Sequence, residues 1–202
     1  MIKNIVFDIG NVLADFRIEE FLAEKGFDAP RIRRIVKASV LSPYWEQFER
    51  ADITEEEALR AFAGLDPGIG DDLRRAYSNI GGMLAVRDYA VPWIRGLKEA
   101  GYRVYYLSNY SKKAYDECRD SLVFLEYMDG GLLSFRERLT KPDPAIYTRF
   151  LERFGLTAAE CVFIDDTERN VAAAEALGFR GIVFESYEQA GRQLEALGVA
   201  GG

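Results

Sequence analysis

The chain has 202 residues, 49% of them hydrophobic, enough for one large domain or for a core domain carrying a smaller insertion. Its 26 Lys plus Arg stand against 33 Asp plus Glu for a formal charge of -7, and with no long basic run nucleic acid is excluded as an expected partner. No histidine is present, which excludes Ser-His-Asp, Cys-His and phosphohistidine chemistry, and Cys118 and Cys161 lack CxxC spacing and read as buried small hydrophobes.

The first apolar run, Ile5 to Phe7, is short and interrupted by Asp8, unlike a signal-peptide core, and no stretch approaches 18 apolar residues. No membrane segment and a cytoplasmic location are expected. The run itself reads as a buried strand, because it is too continuous for a half-exposed one. Helical patterns follow at 17–26, 30–40, 43–50, 54–64 and 70–79, the fourth opening with the capping box Thr54-Glu55-Glu56-Glu57. Roughly 90 residues separate the first strand from the next, where an ordinary crossover needs about a dozen, so a helical unit is inserted there. Tyr44, Trp45 and Phe48 cluster on one of its helices and read as that unit's own core. Arg17 stands near its start, and Arg31, Arg33 and Arg34 read as a solvated face.

Further strands at 103–107, 161–164 and 181–184 alternate with helices at 91–100, 111–119, 144–154, 168–177 and 187–197. Pro144 opens the third of these helices and Gly155 closes it. The alternation predicts a doubly wound, Rossmann-like α/β core over 1–14 and 86–202, with an all-helical cap over 15–85.

Open parallel sheets bind ligands beyond the carboxyl ends of their strands. Asp8, the pair Ser108-Asn109 and the pair Asp165-Asp166 each follow an apolar run, and Lys141 precedes the helix at 144. Each has a local explanation as a turn residue, a helix cap or a surface cation. None of those explanations accounts for their meeting at one edge of the sheet. Together they suit phosphoryl chemistry: one carboxylate attacks phosphorus, Mg²⁺ held by one or two carboxylates relieves the repulsion, and lysine with hydroxyl and amide donors stabilises the transferring oxygens.

The segments FDIGNVL, LSN, KPDPAIY and FIDDTERNVAAAEALGF resemble the four motifs of the haloacid dehalogenase (HAD) superfamily, in order and over nearly the whole chain. YWEQFERADITEEEA resembles the cap of members whose helical (C1-type) cap follows the first strand, and FDIGNVL is most similar to bacterial sugar-phosphate phosphatases of the α-D-glucose-1-phosphate phosphatase type. The resemblance implies Asp8 as nucleophile and metal ligand, the Gly10 backbone carbonyl and Asp166 as further Mg²⁺ ligands, and Asp165 supporting them from behind. Ser108, Asn109 and Lys141 would bind the phosphoryl group, and Asn170 would orient the loop. The implied substrate is a small phosphorylated metabolite, such as a hexose 1-phosphate.

One position departs from the family pattern: most phosphatases of the superfamily carry an aspartate two residues after the nucleophile, as acid and base, and here that residue is Gly10. Either the leaving group needs little protonation, or water or a cap residue supplies the proton, with Asp15 the nearest candidate. A 2-haloacid dehalogenase also needs no acid, but such members lack the paired acids that Asp165-Asp166 supplies. A regulatory or binding protein with a weakened site is the third alternative.

Overall fold

In a computed structural model that describes residues 1–200, the chain opens with β1 (Asn4–Phe7), buried along its whole length. β2 (Ala14–Phe16) leads into five helices: α1 (Ile18–Glu24), α2 (Ala29–Ala38), α3 (Pro43–Glu49), α4 (Glu55–Leu65) and α5 (Gly70–Tyr77). Their starts are written in the sequence: Asp28 accepts from the Arg31 N–H, Pro43 opens α3, and Thr54 and Glu57 form the expected capping box. β3 (Leu84–Val86) then returns antiparallel to β2, with Phe16 opposite Leu84, so the chain leaves and re-enters the core side by side. At three residues per strand this ribbon offers no alternation for a sequence reading to detect.

The remaining elements run in the order α6 (Ala90–Glu99), β4 (Arg103–Ser108), α7 (Lys112–Glu117), β5 (Gly130–Leu133), α8 (Ser134–Glu137), α9 (Pro144–Phe154), β6 (Cys161–Asp165), α10 (Glu168–Ala176), β7 (Arg180–Val183) and α11 (Tyr187–Ala196). The strands form a five-stranded parallel sheet ordered β5-β4-β1-β6-β7, the doubly wound α/β architecture expected from the alternation.

Period-2 alternation in β1 sends Ile5 and Phe7 to one face, against Trp93, Ile94 and Leu97 of α6 and Leu194 of α11. Val6 goes to the other face, with Ile146, Tyr147 and Phe150 of α9. The inserted helices close around a core of their own, including Leu22, Ile35, Phe62, Leu73 and Tyr77. Each such side chain contributes about 1.5–3 kcal/mol on full burial. Cys118 and Cys161 are free and buried, and among the described residues no helix is long and apolar enough to cross a membrane.

Candidate active site

With β4 on one side of β1 and β6 on the other, the connections diverge at β1, and a crevice opens beyond the carboxyl ends of these three strands. The Asp8 N–H donates to the Ile164 carbonyl at 2.8 Å, and the register pairs Phe7 with Ile164, which carries Asp8 and Asp165 to the same level. Ser108 ends β4 beside them, and its hydroxyl favours the ionised form of Asp8.

Lys141 enters from the loop before α9. Its Nζ lies 2.8 Å from Asp8 Oδ1 and 2.6 Å from Asp165 Oδ2, and the residue is only 3% exposed. Asn109 fixes its backbone from both sides, accepting from the Lys141 N–H at 2.8 Å and donating to the Lys141 carbonyl at 3.1 Å. Asp165 is fully occupied: Thr167 N–H donates to Oδ1 at 2.8 Å, and Asn170 Nδ2 lies 3.0 and 3.2 Å from its two oxygens. Asn11, at φ 57°, turns the loop so that its amide donates to Asp166 Oδ2 at 3.0 Å.

Asp8, Asp165 and Asp166 each offer one carboxylate oxygen within 4.8 Å of the others. Burial, then Asp165, push the Asp8 pKa up to about 6 against the opposing pull of Lys141. Burial alone would lower the Lys141 ammonium, but Asp165 and Asp8 outweigh it, and its pKa stands above the ordinary value. Asp8 Oδ1 has no hydrogen bond of acceptable geometry even with Lys141 close by. Three carboxylates against one ammonium, an unsatisfied buried oxygen and hard oxygen donors fit a divalent cation of the Mg²⁺ type. Because Asp165 is saturated, Asp8 and Asp166 are the carboxylates that would be left to face such an ion.

A cavity of about 340 Å³ rises from this floor. Gly10 lies at its edge, and a Cβ built there would meet nothing within 4 Å. The far walls come from the inserted helices and the ribbon: Phe16, Val40, Trp45, Ile80, Met83 and Leu84, with Glu49 among them. Trp45 belongs to both environments, packing against Phe48, Phe62 and Tyr77 while lining the cavity. Two residues weighed from sequence face elsewhere. Asp15 sits on β2, half-exposed and paired with Arg87 at 2.7 Å, because strand alternation turns it away from the cavity. Arg17 pairs with Glu24 at 2.6 Å. Glu49, Asn11 and Arg169 line the cavity without having been singled out in sequence. Glu49 carried a signal, since it stands four residues after Trp45 on the same helix face.

A family model of haloacid dehalogenase-like hydrolases matches residues 2–178. The chain is 27% identical over 180 residues to the sesquiterpene phosphatase astK of Aspergillus oryzae, covering 89% of this chain and 88% of that protein. It is 26% identical to the D-ribitol-5-phosphate phosphatase of Bacteroides thetaiotaomicron, over 89% and 90% of the two chains. Among solved structures, a HAD family enzyme of B. thetaiotaomicron in complex with magnesium and inorganic phosphate superposes with a TM-score of 0.71 at 24% identity, covering 94% of this chain and 99% of that one.

Proposed function

The chain belongs to the haloacid dehalogenase-like hydrolases, and from that premise we propose that it is a Mg²⁺-dependent phosphatase that cleaves a small phosphate monoester through an aspartyl-phosphate on Asp8. The observation that carries this reading is the buried group at the end of β1: Asp8 with Lys141 Nζ at 2.8 Å and the Asp165-Asp166 pair beside it.

The Asp8 carboxylate attacks phosphorus, an Asp8–phosphorus bond forms and the ester bond to the leaving oxygen breaks. Lys141, held by Asn109 and Asp165, lowers the charge on the carboxylate and on the equatorial phosphoryl oxygens. Ser108 donates to the same oxygens, while the side chain of Asn109 is largely spent on positioning Lys141. Asp8, Asp166 and the Gly10 carbonyl would hold Mg²⁺, which when bound supplies positive charge between the nucleophile and an anionic phosphate. Asn170, through Asp165, keeps the loop in register.

Two observations favour the phosphatase over a dehalogenase or a weakened regulatory protein. The Asp165-Asp166 pair beside Asp8 has no task in displacing halide, and two relatives are phosphatases by name. For the substrate, FDIGNVL supports a sugar phosphate such as a hexose 1-phosphate. The apolar side chains Phe16, Val40, Trp45, Ile80, Met83 and Leu84 on the walls favour a second reading, an alcohol with an apolar skeleton, since against that surface sugar hydroxyls would find no partners. The inserted helices, acting as a cap, form those walls and exclude water.

The test is phosphate release from hexose 1-phosphates, hexose 6-phosphates and alkyl or isoprenyl monophosphates with Mg²⁺ present. Release should stop on adding EDTA and fall roughly 1,000-fold or more in Asp8→Asn. Undiminished turnover by Asp8→Asn would refute the nucleophile, and a rate order with hexose phosphates first would refute the apolar reading.

A further inference from the structure

The geometry points to Glu49, at the end of α3, as the acid and base that the loop after β1 lacks at Gly10. The inference rests on the phosphatase reading and adds the route of the proton. An alkoxide is a poor leaving group, so cleavage of an alkyl phosphate calls for a proton at the departing oxygen. The other carboxylates around the site are otherwise engaged, Asp166 as a proposed Mg²⁺ ligand that accepts from Asn11 at 3.0 Å. Asp8 is the nucleophile, Asp165 is saturated by Lys141, Thr167 and Asn170, and Asp15 is turned to Arg87. Glu46 is tied to Thr140 at 2.8 Å and to Arg50 at 3.0 Å. Glu49 alone among the acids of the inserted helices lines the cavity that holds Asp8 and Lys141.

Its place is fixed from three sides. Trp45 Nε1 donates to Oε1 at 3.0 Å, holding the carboxyl along the cavity wall. Ser134 Oγ, at the start of α8, donates to the Glu49 carbonyl at 2.7 Å. The Thr140 hydroxyl, one residue before Lys141, donates to Glu46 one turn back on the same helix. The end of α3 is therefore pinned to the very loop that delivers Lys141.

Burial pushes the Glu49 pKa up to about 7, with smaller contributions from Asp8 and Glu46 and opposing ones from the Trp45 hydrogen bond and Lys141. Asp166 and Arg169 are the charged groups on the remaining wall. A carboxyl so poised is populated in both forms near neutrality, as a group that first gives and then takes a proton requires.

In the first step the Asp8–phosphorus bond forms, the phosphorus–oxygen ester bond breaks with its electron pair on the departing oxygen, and that oxygen takes the proton from Glu49 to leave as the alcohol. In the second step ionised Glu49 takes a proton from water, whose oxygen attacks phosphorus. The Asp8–phosphorus bond breaks, which returns the Asp8 carboxylate, inorganic phosphate and protonated Glu49.

The test compares kcat/KM for n-hexyl phosphate, which needs a proton donor, with that for p-nitrophenyl phosphate, whose phenolate leaves largely unaided. Glu49→Gln keeps the acceptor for Trp45. It should lose roughly 100-fold or more on the hexyl ester and at least about tenfold less than that on the nitrophenyl ester. In the wild type, kcat/KM for the hexyl ester should fall as pH rises through about 7. Trp45→Phe removes a hydrogen bond that favours the ionised carboxylate and should move that fall to higher pH. Equal losses on both esters, or an alkaline limb unmoved by Trp45→Phe, would overturn the assignment. Absence of Mg²⁺-dependent release from either ester by the wild type would instead sink the phosphatase reading itself.

Discussion

Lys141 and Glu49 face the same cavity and are held far from their ordinary titration by opposite balances. For Lys141 two carboxylates outweigh burial, so its charge is secure. For Glu49 burial dominates, so its charge is conditional. That condition has a stability consequence which can be measured without substrate. The folded protein holds the Glu49 proton more tightly than the unfolded chain, with a pKa of about 7 against 4.5. The favourable contribution is therefore complete below about pH 4.5 and is lost as pH rises through about 7. Glutamine has no such loss. In metal-free protein, Glu49→Gln should match the wild type at pH 4.5 and exceed it at pH 8, by at most about 3 kcal/mol in denaturant titrations. A difference independent of pH would mean that the carboxyl is not enclosed in solution.

At the scale of elements, what could be read in sequence follows from the strength of each local pattern. β1, β4 and β6 are visible because strands buried on both faces are continuous apolar runs, the edge strand β7 because Ile182, Val183 and Phe184 form a short apolar run, and the helices because they carry caps such as Thr54, Asp143 and Gly155. β5 is hidden by its two glycines, which carry no strand preference. Packing supplies the reason for the second: a Cβ on Gly131 would stand 2.3 Å from the Tyr106 ring on β4. Gly131→Ala should destabilise the fold by about 1–3 kcal/mol, read as a lower denaturation midpoint. Asp8, the Asp165-Asp166 pair and Lys141 are legible as candidates because each follows a strand or shortly precedes a helix. For Glu49 only its place on the helix face of Trp45 could be read, because its relation to Asp8 exists only once α3 is docked through Ser134 and Thr140.

Over the whole molecule, the site concentrates more negative charge than its single buried ammonium balances, so folding works against electrostatics at this point. Mg²⁺ at 5 mM should raise the melting temperature by several degrees, since an ion bound to the folded state alone stabilises it. Metal-free Asp8→Asn should melt above the metal-free wild type and lose most of that response; a wild type indifferent to Mg²⁺ would contradict this charge balance. The ribbon of β2 and β3 has a consequence for inheritance. Because Phe16 and Leu84 are paired across it, everything between them enters and leaves the sheet domain through neighbouring positions. Recombination that exchanged residues 17–83 for another segment would leave the sheet intact and Asp8, Lys141 and Asp166 where they stand. Such a graft would exchange the cavity walls contributed by that segment together with Glu49, so a lineage acquiring a new specificity by this route would receive its proton donor in the same event.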